Sequence, residues 1–64
     1  MVTARELGRA LEAGRVELTR PNVRPMRCAL CRLLCQRGEA VRLWIGGVKR
    51  GFLCRKRCAK SVGK

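Results

Sequence analysis

The chain has 64 residues and can form one small domain at most; at this size, burial of apolar surface only about balances the conformational entropy lost on folding. One Trp, one Phe and no Tyr leave it without the large side chains that dominate small cores, so packing alone is expected to be insufficient to hold a fold. Its 16 Lys and Arg against 4 Asp and Glu give a formal charge of +12, which favours nucleic acid, an anionic membrane or an acidic protein surface as partner.

The opening residues MVTARELGRALEAG hold two acids and no apolar run of signal-peptide length, and no stretch approaches a membrane span. A cytoplasmic, reducing location without membrane contact is therefore expected. Thr3 followed by Glu6 reads as a capping box, and Leu7, Ala10 and Leu11 fall at helical spacing before Gly14, which predicts a helix over residues 4–13. Its apolar face is narrow, so it must dock on the rest of the chain or on a partner. Val16 and Leu18 alternate with polar neighbours as in a short strand that Pro21 ends. Residues 1–19 thus form one segment, and RPNVRPMR, residues 20–27, reads as an extended linker to a basic module over residues 28–64. Within that module, Val41, Leu43 and Ile45 alternate with Arg42 and Trp44, and Gly46-Gly47 suits a two-residue hairpin turn. That turn would set Ile45 opposite Val48, Trp44 opposite Lys49 and Val41 opposite Phe52. After Cys54, the run RKRCAKSV has room for one or two helical turns.

Five cysteines, Cys28, Cys31, Cys35, Cys54 and Cys58, stand in two clusters on either side of the hairpin. In a C-x2-C pair the backbone can curl so that both thiolates face one metal ion, and a C-x3-C pair puts both sulfurs on one face of a helical turn. Four thiolates complete a tetrahedron, and in a reducing compartment clustered cysteines are more often ligands or redox centres than structural disulfides. Cys31-x3-Cys35 with Cys54-x3-Cys58 also matches the twin C-x3-C pattern of disulfide-stapled helical hairpins. The four glycines and β-branched alternation of residues 38–53 argue against helical flanks there. No βαβ context surrounds either pair, which disfavours thioredoxin-like chemistry.

The order of a cysteine knuckle (CALC, residues 28–31), a hairpin (AVRLWIGGVKRGFL) and a second cysteine pair at a helix start (CRKRC, residues 54–58) resembles the treble-clef and zinc-ribbon group of small zinc fingers. The resemblance covers about half the chain. It departs from the common pattern in its C-x3-C second pair and in having Arg32 rather than Gly after Cys31. It implies a small metal-stabilised α+β fold, with a short amino-terminal helix, zinc knuckle, β-hairpin and short carboxy-terminal helical turn. It also implies one Zn²⁺ held by Cys28, Cys31, Cys54 and Cys58. Cys35 is then a spare, buried thiol, or an alternative ligand.

The charge lies with the cysteines: residues 27–64 carry eleven basic residues and only Glu39. Arg42, Lys49, Arg50, Arg55, Lys56, Arg57 and Lys60 gather around the hairpin and the second pair, where fixed guanidinium and ammonium groups suit phosphate contact. Trp44 between Arg42 and Lys49 either covers the core or offers a stacking platform for an unpaired base. The chain has no His, no paired acids beside a nucleophile and no phosphate-cradling Gly loop, so it is expected not to be an enzyme and to take no small-molecule substrate. The expected partner is a nucleic acid bound through its phosphates, in transcription or translation. The alternatives are a phage-type regulator that occupies the nucleic-acid channel of RNA polymerase and a ribosomal protein wedged in rRNA.

Overall fold

A computed structural model describes residues 2–62 of the chain; residues 1, 63 and 64, at the outer ends of the two expected segments, lie outside the described residues. The element order is α1 (Ala4–Glu12), β1 (Val16–Pro21), β2 (Met26–Arg27), β3 (Leu34–Cys35), β4 (Ala40–Ile45), β5 (Val48–Cys54) and α2 (Cys58–Val62). This is a small α+β architecture. A three-stranded antiparallel sheet runs in the order β1-β4-β5, and β2 and β3 form a separate two-stranded ribbon. Among the described residues, no helix is long and apolar enough to cross a membrane.

Helix α1 begins where Thr3 Oγ1 accepts the Glu6 N–H at 3.1 Å. It ends in a Schellman motif, with the Arg15 N–H on the Ala10 carbonyl at 2.9 Å and the Gly14 N–H on that of Leu11 at 3.0 Å. The expected helix is thus present, with Ala13 as its cap. The reciprocal half of the capping box is replaced by a tertiary ion pair, because the Glu6 carboxylate takes the Arg50 guanidinium of β5. Leu7 and Ala10 are buried, and Leu11 is left partly exposed.

The β4–β5 hairpin closes on Gly46 (φ 60°) and Gly47 (φ 82°), the two positive angles that a type I′ turn needs. Ile45 pairs with Val48 and Trp44 with Lys49, as the alternation predicts. The expected pairing of Val41 with Phe52 is not what the structure shows. Val41 faces Leu53 and Arg42 faces Phe52, because the register shifts by one between Leu43 and Trp44 and leaves Arg50 as the extra residue of a bulge. Two causes are visible. Gly51, opposite Leu43, adopts φ 127°, and Arg50 is turned toward Glu6 of α1. The slip puts Leu53 beside Leu43 in the core, both with no exposed surface, and moves Phe52 to the face that carries Arg42 and Lys49.

The core is completed by Val2, Leu7, Ala40, Phe52, Ala59 and the buried cysteines. Residues 20–27, expected as an extended linker, bend at Val23 and Arg24 and are tied down at both ends: Pro21 lies in β1, and Met26 and Arg27 form β2. Between them, Asn22 is 3% exposed and its side chain holds the chain together. Nδ2 donates to the carbonyls of Arg24, Cys35 and Gln36, and Oδ1 accepts the N–H groups of Gly38 and Ala40, each at 3.0 Å. One amide therefore joins the β1–β2 connection, β3 and the start of β4. Asn22→Ala should leave buried polar groups without partners and cost about 3 kcal/mol, lowering the melting temperature of the metal-loaded protein by more than about 10 °C. Thermal denaturation followed by circular dichroism checks this, and a loss below about 1 kcal/mol would show that water replaces the amide there.

Candidate metal centre

Three elements deliver four sulfurs to one point. The first pair lies in the loop between β2 and β3, whose base is closed by the Cys28 N–H on the Leu33 carbonyl at 2.9 Å and the Arg32 N–H on the Cys28 carbonyl at 3.1 Å. This curl aims the N–H groups of Leu30 and Cys31 at Cys28 Sγ, at 3.4 and 3.5 Å. The turn ends on Arg32 at φ 65°, the position where Gly commonly stands in such knuckles. A left-handed non-glycine residue costs roughly 1–2 kcal/mol. The second pair spans the end of β5 and the start of α2, where the Cys58 N–H donates to Cys54 Sγ at 3.4 Å. The Ala29 N–H on the Phe52 carbonyl, at 2.7 Å, fixes the knuckle against β5.

The sulfurs of Cys28, Cys31, Cys54 and Cys58 all lie within 4.8 Å of one another. Cys28 and Cys58 are 3.5 Å apart, and Cys31 and Cys54 are 3.6 Å apart. A tetrahedral thiolate site with metal–sulfur bonds near 2.3 Å sets its sulfurs roughly 3.8 Å apart. The donor set therefore has the size and composition to hold one metal ion, and these are the four residues that the resemblance to small zinc fingers assigns. The sulfurs are also electrostatically unhappy as a group of thiols. Burial pushes the Cys28 thiol up, but the backbone N–H groups of Cys31, Cys54 and Leu30 outweigh it and bring it down to about 6. Burial, and then the neighbouring Cys28 and Cys54 sulfurs, push Cys58 well up. At Cys31 a backbone hydrogen bond with Leu33 lowers the value, but burial and the thiols of Cys28 and Cys54 prevail and raise it. One thiolate is thus ready-made while Cys31 and Cys58 resist ionising beside it, the conflict that a cation between them would remove.

Cys35 stands outside the group. It is buried in β3 opposite Met26, its S–H reaches the Leu33 carbonyl at 3.6 Å, and burial followed by the nearby Cys54 and Cys28 raises its thiol. All five cysteines are free, and among the described residues neither pairing of the twin C-x3-C pattern is formed.

The basic residues expected around this centre divide into three groups. Arg42 and Lys49 cover the Phe52 ring from distances of 5.7 and 5.5 Å to its centroid, and the Arg42 Nε is buried without a hydrogen-bond partner. Trp44, half-buried on the same hairpin face, is pinned to β1 by its Nε1–H on Thr19 Oγ1 at 2.9 Å. Arg50 is engaged with Glu6 and is withdrawn from any such set. Arg55, Lys56 and Lys60 line one cleft of about 410 Å³ beside the second cysteine pair, and Arg57 lies on the next. Arg55 is held there by its Nη1–H on the Gly38 carbonyl at 3.1 Å and its own N–H on the Glu39 carbonyl at 2.9 Å. Sequence reasoning gives no role to Asn22 or to the Leu33-Leu34 step; the one available signal is the missing glycine after Cys31, which marks Arg32 as a strained end of the knuckle.

No protein-family model, no curated protein and no solved structure matches the chain.

Native mass spectrometry should show one metal ion per chain, lost in Cys54→Ser and retained in Cys35→Ser; retention in the first or loss in the second would reassign the ligands. Arg32→Gly should relieve the left-handed strain and raise the unfolding free energy of the metal-loaded form by about 0.5–1 kcal/mol, read by chemical denaturation.

Proposed function

We propose that the protein is a zinc-stapled module of the treble-clef or zinc-ribbon type that binds nucleic acid through its phosphates, in transcription or translation, and that it acts by binding rather than catalysis. Zinc is the metal that best suits four thiolates at tetrahedral spacing with no open position. Its binding would contribute roughly 10–16 kcal/mol to a chain whose apolar core is small, and would leave the protein strongly basic.

The observation that carries the nucleic-acid reading is the convergence of Arg55, Lys56 and Lys60 on one cleft beside the second ligand pair. The alternation of ligands and cations in CRKRC couples the two: what fixes Cys54 and Cys58 also fixes the backbone that carries Arg55 and Lys56. Arg55, already oriented by the Gly38 carbonyl, offers the rest of its guanidinium fork to a phosphate, and the two lysines supply mobile point charges beside it. The Arg42–Phe52–Lys49 stack on the hairpin supports a second stretch of cationic surface, with the half-buried Trp44 at its side. No base-reading helix is present among the described residues, since α2 has five residues, so contacts would be to backbone and sequence-tolerant.

Fluorescence anisotropy of the zinc-loaded protein with labelled single-stranded RNA and duplex DNA tests this. The logarithm of affinity should fall linearly with that of salt concentration, by about 0.7 per neutralised phosphate for single strands and about 0.9 for duplex. Lys56→Ala and Lys60→Ala should each weaken binding at every sequence tried and reduce the slope by about one contact. Binding that ignores salt, or that survives both substitutions together, would sink the reading.

A further inference from the structure

The knuckle that presents two of the sulfurs also leaves an apolar step in the open. Leu33 and Leu34, directly after the strained Arg32, are 47% and 51% exposed. Both line a cleft of about 180 Å³, room for an apolar side chain or two rather than a folded surface, with the buried Cys35 and Cys54 at its base. Glu39, Lys56 and Arg57 also line it. The Glu39 Oε1 accepts the Gln36 N–H at 2.9 Å and its carboxylate stays exposed, so the rim carries two cations against one anion and is net positive.

From this juxtaposition we propose that the Leu33–Leu34 cleft docks a segment of a partner protein that carries an apolar side chain flanked by carboxylates. The apolar side chain would sit between the two leucines over Cys35, and the carboxylates would meet Lys56 and Arg57. Charge decides among the occupants. A nucleic acid gains nothing from two exposed leucines. A second copy of this chain would bring +12 against +12, with Lys56 and Arg57 of each near those of the other at a two-fold contact. An acidic segment with an apolar anchor is attracted on approach and buries the leucines on arrival.

Lys56 lines both this cleft and the one that holds Arg55 and Lys60. A docked carboxylate on Lys56 would remove one cation from the phosphate-binding set, so the two ligands should compete. This last consequence rests on the nucleic-acid reading; the docking itself does not.

The test uses the full, zinc-loaded chain and a short fluorescein-labelled peptide of alternating Asp, Leu and Phe, with a counterpart in which Ser replaces the apolar residues at equal charge. The apolar-acidic peptide should bind at least about tenfold tighter than its counterpart, and Leu33→Ser and Leu34→Ser should each weaken it by about fivefold while metal content and Trp44 fluorescence stay unchanged. Equal binding of the two peptides, or no effect of either leucine substitution, overturns the proposal. Sedimentation equilibrium of the same variants covers the remaining occupant: concentration-dependent dimers abolished by Leu34→Ser would assign the cleft to a second copy and overturn it as well. Displacement of labelled oligonucleotide by the peptide is read separately, so that failure of nucleic-acid binding leaves the peptide result standing.

Discussion

Four sulfurs within 4.8 Å of one another repel as anions unless a cation lies among them, and the backbone brings them to that point from both ends of the hairpin. The knuckle between β2 and β3 carries one pair, and the junction of β5 and α2 carries the other. Their convergence sets the β2–β3 ribbon against the main sheet and gives α2, only five residues long, a reason to be helical. The apolar core alone is slight: among its large side chains only Leu43, Leu53 and Phe52 come from the hairpin, and Val2 and Leu7 come from the amino-terminal helix region. A metal ion bound to the four sulfurs would supply what such a core lacks, at the place where the carboxy-terminal elements meet.

The parts of this fold that were legible in the sequence are those decided locally. Gly46-Gly47 announces its turn because few other residue pairs adopt two positive φ angles, and the pairing of Ile45 with Val48 and Trp44 with Lys49 follows from it. That two short cysteine clusters separated by a hairpin can meet follows from spacing; the choice of Cys28, Cys31, Cys54 and Cys58 over Cys35 comes from the resemblance to small zinc fingers, and the structure brings those four together. What escaped is decided at a distance. The bulge at Arg50 depends on Glu6, 44 residues away, and on the backbone of Gly51, so alternation alone set Val41 opposite the wrong residue. Strands of two residues, as in β2 and β3, carry no periodicity to detect. Asn22 sits in a stretch of Pro, Arg and Val that reads as connection, and nothing local separates an Asn that faces water from one whose amide bonds three carbonyls and two N–H groups. The basic residues were legible as charge but not as arrangement: Arg50 is taken up by α1, Arg42 and Lys49 lie over Phe52, and Arg55 is tethered to Gly38.

Such parking of cations explains how so much positive charge is tolerated on so small a surface. A guanidinium over an aromatic ring, on a carbonyl or against a carboxylate has a definite place, and each contact is worth up to about 1 kcal/mol at exposed sites. The bulge contributes here as well. By rotating Phe52 onto the cationic face it gives Arg42 and Lys49 a ring to share, and by freeing Arg50 from the ladder it lets α1 be anchored. Charge placement and helix docking are therefore consequences of the same one-residue slip in β5.

The four clustered cysteines are not equally sheltered. Cys28 and Cys54 are buried at 2% and 5% exposure, Cys58 is intermediate, and Cys31 is open to solvent. A bound ion would thus have a dry hemisphere and a wet one, and a competing thiol or chelator arriving from water would meet the Cys31 side first. Exchange would begin with release of Cys31 at the strained Arg32 end of the knuckle, while the buried Cys28 and the β5–α2 pair still held the ion. A metal bound here would then be held by a staple with one exposed leg at Cys31, and its lifetime would depend on the opening of a four-residue turn as well as on the unfolding of the sheet.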